Sequence, residues 1–153
     1  MAEEKPERLG QFRFQPEFRT EFADLPRKVK TELANTVLAI QKAGGPAAGR
    51  PYVDTLKGSK HANMKELRFS VESEVWRFAF AYDPTRNAVV LCGGDKQGVT
   101  ETLFYGRLVE KADKRYDAWL KTLEKARLAK VAEAKVKTKA AKRFGKSRKG
   151  WKR

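Results

Sequence analysis

Residues 64–96, MKELRFSVESEVWRFAFAYDPTRNAVVLCGGDK, carry two arginines, Arg68 and Arg77, on successive extended runs. Side chains along a strand alternate between faces. Trp76, Phe78, Phe80 and Tyr82 therefore share one face, with Arg77, Ala79 and Ala81 on the other. In the preceding run Leu67 and Phe69 oppose Met64, Glu66 and Arg68. If the aromatic faces are buried, Glu66, Arg68 and Arg77 project together from a shallow, open, cationic surface floored by alanine. A planar guanidinium donates two parallel hydrogen bonds to phosphate oxygens, so a phosphodiester suits that surface.

Cleavage of RNA by its own 2′-hydroxyl needs a proton acceptor, cationic donors on the phosphate and a proton donor for the leaving oxygen. Arg68 and Arg77 fit the second role and Glu66 the first, a contribution of about 10²- to 10⁴-fold when a base is well placed. Lys96, just past the last strand, can support the phosphate charge or protonate the leaving oxygen. Tyr105 can donate or accept a proton, or stack on a base. Each has a plainer alternative: Glu66 in a cross-strand ion pair, Lys96 as an ordinary turn lysine, Tyr105 as a core aromatic. The loop carrying Lys57, Lys60, His61 and Lys65 is a candidate RNA anchor, with His61 otherwise an exposed loop histidine. Trp151 is a candidate for base stacking among cations. No Cys/His metal spacing, phosphate-binding glycine loop or nucleophile elbow occurs, so no metal or other cofactor is expected.

Positioning these groups requires a frame, and the chain spells one. A strand is expected at Gln11–Phe14, then a short helix opened by Pro16 with Phe18 and Phe22. A second helix starts near Pro26, keeps Val29, Leu33, Val37 and Ile40 at helical spacing and stops at Gly44-Gly45. Residues 44–61 are expected to be loop. Strands follow at about 64–70, 74–82 and 88–92, with Asp83–Asn87 a turn and Gly93-Gly94 a break. Sequential hairpins imply an antiparallel sheet, with the helices over Leu67, Phe69, Trp76, Phe78 and Phe80. A last helix begins near Thr100, with a packing face of Leu108, Ala112, Tyr116, Trp119 and Leu123. The fold class is α+β: an N-terminal helical hairpin on a small curved antiparallel sheet, with a C-terminal helix.

The chain of 153 residues has a net charge of +15. Residues 130–153 hold eleven Lys or Arg against one Glu, which leaves only +5 for the rest. A domain over 1–129 and a flexible basic tail over 130–153 are expected. Such a tail attracts polyanions by counterion release, with strong salt dependence. Cys92 is the single cysteine, and no run approaches the roughly 20 apolar residues of a membrane helix. A soluble, cytoplasmic protein in a reducing compartment is expected.

The order of a helical hairpin, LKGS, an ELR strand, WRFAFAYD, VVLCGGDK and FYGRLVEKADKRYDAWL resembles the RelE/ParE superfamily of type II toxin–antitoxin toxins, particularly HigB-like, phage-related members. The likeness covers about residues 10–123. It implies a compact RelE-like α+β fold and, for RelE- and HigB-like members, metal-independent, ribosome-dependent cleavage of mRNA. It places the family's strand arginines at Arg68 and Arg77, its basic residue after the last strand at Lys96 and its C-terminal aromatic at Tyr105. It also implies a cognate antitoxin, often a helix-turn-helix protein of the HigA kind, in a hetero-oligomeric complex. Glu66 stands where several RelE-like members place a basic residue, and the tail has no counterpart in the family core. ParE-like members inhibit DNA gyrase without cutting RNA, so a gyrase inhibitor and a non-catalytic basic nucleic-acid-binding module are the alternatives.

Overall fold

The computed structural model of the chain describes residues 8–9 and 12–151, with side chains over 12–143. Pro16 opens helix α1, Pro16–Ala23, and Gln15 caps it by accepting from Phe18 N at 3.1 Å. Helix α2, Arg27–Lys42, buries Val29, Leu33, Val37 and Ile40 and ends before Gly44, whose φ of 112° is one that glycine adopts without a Cβ penalty. Thr100 caps the last helix, α3, Glu101–Trp151, by accepting from Leu103 N at 3.2 Å. The strands are β1 (Arg8–Leu9), β2 (Phe12–Phe14), β3 (Val53–Thr55), β4 (Met64–Val71), β5 (Glu74–Tyr82) and β6 (Ala88–Asp95), and their order in one sheet is β1-β2-β6-β5-β4-β3. Gln11, the expected start of the first strand, lies outside the described residues. Among the described residues no helix is long and apolar enough to cross a membrane.

The α+β class and the helical hairpin on a sheet stand as expected, with three corrections of detail. The sheet is mixed, because β2 pairs parallel with β6 while the other pairs are antiparallel. The expected loop contains β3, an edge strand of three residues on which only Val53 is buried. The last strand does not break at Gly93-Gly94. Those glycines pair with Phe78 and Arg77, and a Cβ on Gly93 would fall 2.0 Å from the Phe78 ring. The glycine is there for close packing rather than for chain reversal.

Two contact-rich units divide the chain, Met1–Asp117 and Ala118–Arg153. In the first, α1 and α2 cover one sheet face, where Phe12, Phe18, Leu33, Ile40, Leu67, Phe78, Phe80 and Val90 form the core and Phe69 and Trp76 pack against it. On the other face Met64, Ala79, Ala81, Val89 and Leu91 are also fully buried, alongside Phe104, Leu108, Ala112 and Tyr116 of α3. Tyr116 donates its hydroxyl to Tyr82 O at 3.2 Å, and buried Arg115 donates to Leu91 O at 2.7 Å. Leu91 is the extra residue of a bulge between the Ala79–Cys92 and Phe80–Val90 pairs, so its carbonyl is available to the guanidinium. Arg115 also forms a two-point bond with Glu21 of α1, at 2.7 and 2.6 Å, and lies 3.3 Å from Glu17. The Arg115 bond is the main reason the Glu21 carboxyl is held below its usual range. In the second unit, residues expected to form a flexible tail continue as helix, exposed throughout 124–143. Alanine and lysine are strong helix formers, and Arg127 pairs with Glu124 along this stretch.

Gly93→Ala is expected to lower stability by roughly 1–3 kcal/mol through overpacking against Phe78; an unchanged urea midpoint would show that Phe78 can yield. Glu21→Gln is expected to cost about 1–2 kcal/mol at neutral pH, a modest figure for a charged hydrogen bond because Glu21 is partly exposed. A carboxylate whose folded pKa is depressed contributes fully above its ordinary value of 4.5 and loses that contribution as pH falls through the folded value. Urea melts of wild type and Glu21→Gln should therefore converge in acid. A gap that stays constant below that range would contradict the assignment.

Candidate phosphate-binding site

Arg68 and Arg77 are direct cross-strand partners on β4 and β5, and Glu66 lies two residues before Arg68 on the same face. The expected trio thus shares one side of the sheet. That side is not open, however. Glu66 is 5% exposed and Arg77 7% exposed, and only Arg68, at 46% for its side chain, stands in solvent. The cover is the first turn of α3: the Arg77 guanidinium carbon sits over the rings of Phe104 and Tyr105, 5.8 and 5.6 Å from their centres. The alanines that looked like the floor of a groove are instead small residues that let α3 approach the sheet.

Burying a guanidinium is costly unless its donors are matched. The aromatic faces offset part of that cost, but among the described residues Nε and Nη1 of Arg77 are buried without a hydrogen-bond partner, and so is Oε2 of Glu66. The other Glu66 oxygen lies 3.2 Å from Arg68 Nη2 and accepts a long 3.4 Å bond from the Tyr105 hydroxyl. Burial, and then the neighbouring Glu66 charge, push the Tyr105 phenol above its usual value. In this geometry the Tyr105 hydroxyl stands on the donor side of its contact with Glu66. Glu66, an acceptor already facing a donor, fits the complementary role.

Asp54 of β3 stands opposite Glu66, 3.7 Å from Arg68 and 2.9 Å from Arg50. The Thr55 amide first, and then Arg50, hold its carboxyl below the usual range. Asp54, Arg50 and Phe104 were missed in the sequence. Asp54 lies within, and Arg50 just before, a strand too short to show a pattern, while Phe104 is the immediate neighbour of Tyr105.

The remaining candidates scatter. Lys96 lies half-buried in the turn after β6, where its carbonyl accepts from Val99 N at 3.1 Å. Lys60 pairs with Asp117, and its amide donates to Asp113 Oδ2 at 3.1 Å. His61 Nε2 lies 2.8 Å from Asp117 Oδ1, with its ring edge-on to Tyr116. Both side chains thus latch their loop to α3. Lys57 is exposed, while Lys65 is half-buried and by register shares the face of Leu67 and Phe69, opposite Arg68. The four residues therefore form no single cationic surface with the arginines. The Trp151 side chain lies outside the described residues.

The model of the family described as phage-derived protein Gp49-like (DUF891) matches residues 20–117. A Mycobacterium tuberculosis (strain ATCC 25618 / H37Rv) protein bearing the toxin name HigB2 is 41% identical over 95 residues, 61% of this chain and 46% of that protein. A second from the same strain, bearing the toxin name HigB3, is 45% identical over 76 residues, 50% of this chain and 64% of that protein. The chain thus spans between about half and two thirds of the length of these curated relatives. No solved structure matches it. Both relatives bear out the HigB-like likeness carried by the ELR, WR and GGDK runs. With the family match extending from α1 to the end of the first compact unit, this chain belongs to the phage-derived Gp49-like family.

Proposed function

We propose that this chain is the toxin of a type II toxin–antitoxin pair and that it cleaves mRNA on the ribosome without a metal. The observation that carries the proposal is the buried, unpartnered edge of Arg77, with Nε and Nη1 lacking acceptors beside an exposed Arg68. A phosphodiester supplies the missing acceptors in a low-dielectric setting, where each charged hydrogen bond is worth more than in water. The 41–45% identity to proteins that bear toxin names supports the biological role.

The proposed steps run inward from the Arg68 side. RNA approaches from the Arg68 side, where the sheet is exposed, and the scissile phosphate displaces Tyr105 from its long bond to Glu66 to reach Arg77. Glu66 takes the proton of the 2′-hydroxyl as that oxygen attacks phosphorus. The two guanidinium groups hold the charge that grows on the non-bridging oxygens. The bond to the 5′-oxygen then breaks, and that oxygen takes a proton from Tyr105, with Lys96 as the alternative donor. The products are a 2′,3′-cyclic phosphate and a 5′-hydroxyl. The exposed cationic helix of the second unit, with Lys57, adds affinity for ribosomal or messenger RNA rather than chemistry. A small helix-turn-helix antitoxin is the partner that silences it.

Arg77→Ala is expected to stay folded and to lose about 10²- to 10³-fold in cleavage, and Arg77→Lys should not rescue it because an ammonium lacks the planar fork. Primer extension on transcripts after brief induction should show discrete cuts that vanish in both variants and when translation is blocked. Cuts that persist in Arg77→Ala refute the assignment, and growth arrest with intact transcripts and DNA damage would favour gyrase inhibition. Tyr105→Phe should slow cleavage with a leaving group of ordinary basicity, and a substrate whose 5′-leaving group needs no proton should restore the rate. A rate deficit equal on both substrates would remove Tyr105 from the donor role.

A further inference from the structure

Beside Arg77, but outside the cluster described above, the first unit holds a cavity of about 260 Å³ between the end of β6 and α3. One wall is the Gly93-Gly94 backbone, bare of side chains. Phe104 forms another, and Cys92, whose thiol lies 3.5 Å from Leu108 O, closes the inside. Arg107 and Lys111, one helical turn apart and both exposed, line the same cavity against one carboxylate, Asp95. The volume lies near the lower bound of about 300 Å³ for small-ligand sites, a space for one planar ring system rather than a peptide. A glycine wall admits such a ring to close approach, an aromatic wall stacks on it, and two cations at helical spacing suit an attached phosphate.

Two neighbours tie this cavity to the arginine cluster. Gly94 is the cross-strand partner of Arg77, and Phe104 places its ring under the Arg77 guanidinium at 5.8 Å while also lining the cavity. We infer that the Gly93-Gly94/Phe104 cavity is a nucleotide subsite. It takes the base of the nucleotide next to the scissile phosphate, with Arg107 and Lys111 on that nucleotide's far phosphate. The inference rests on the nuclease reading for its biological meaning, but the binding it describes is measurable without cleavage. It accounts for a feature the arginine cluster leaves idle, the glycine at position 94: a Cβ there would have room, 3.9 Å from the Phe104 ring, so local packing does not require glycine.

The test uses the full-length chain, isotopically labelled, titrated separately with the 5′-monophosphates of adenosine, guanosine, cytidine and uridine, and with inorganic phosphate. At least one nucleotide should move the Gly93 and Gly94 amide signals saturably, and inorganic phosphate should leave them in place. Gly94→Val fills the cavity from a position that tolerates a Cβ and should weaken nucleotide binding at least tenfold. Arg107→Ala with Lys111→Ala, both on the helix surface, should do the same, and this pair decides if the valine variant misfolds. Unmoved glycine signals with every nucleotide, equal shifts with inorganic phosphate alone, or wild-type affinity in the folded variants would each overturn the subsite. None of those results bears on Arg77→Ala cleavage, and cuts persisting in Arg77→Ala would remove the nuclease reading without touching nucleotide affinity.

Discussion

A guanidinium taken out of water requires acceptors, and Arg77 is enclosed before all of its donors have them. Two aromatic faces and a sheet surround it, Arg68 stands across from it, and Nε and Nη1 face no partner among the described residues. An unmatched buried donor costs about 1–3 kcal/mol, more when it is charged. In the proposed reading, the scissile phosphate supplies what the protein omits. The same holds in mirror image for Glu66, whose free oxygen lacks a donor.

Holding that arrangement falls to α3. Its first turn supplies Phe104 and Tyr105. Arg115, about three turns on, reaches both the bulge carbonyl of Leu91 and the Glu21 carboxylate of α1. Asp113 and Asp117 grip the 59–61 loop from the other side of the helix, through Ser59, Lys60 and His61. Two members of the expected RNA-binding loop, Lys60 and His61, are thus engaged in holding the helix. The cover over Arg77 is set by these anchors as much as by the apolar stripe Leu108–Ala112–Tyr116.

Much of this was legible in the sequence, because the periodicities are strong where one face is buried. The alternation through WRFAFAY put Arg77 and Arg68 on the same side, and the glycine pair after α2 marked its end. What was not legible depends on contacts between distant segments. A two-faced core cannot be read from alternation alone: Ala79 and Ala81 look like an exposed floor until α3 is laid over them. Gly93-Gly94 reads as a break unless the Phe78 ring is known to fill the space above. The parallel pairing of β2 with β6, the three-residue β3 and the Arg115–Glu21 bond join segments whose local patterns carry no trace of one another. The ELR, WR and GGDK order named the family, while exposure, which decides which of these groups solvent can reach, had to come from the structure.

The most direct test of the central claim is to watch the Arg77 side chain itself. In the full-length protein with labelled arginine, the Nε–H signal of Arg77 can be followed while adding a short RNA whose 2′-hydroxyl at the scissile position is replaced by hydrogen, so that it binds and is not cut. The Arg77 Nε–H signal should shift strongly and become protected from solvent exchange, together with Arg68, once the phosphate takes up the missing acceptor position. An Arg77 signal that stays put while Arg50 and the arginines of the basic helix respond would contradict the account, because the RNA would then be held by the surface and never reach the buried guanidinium.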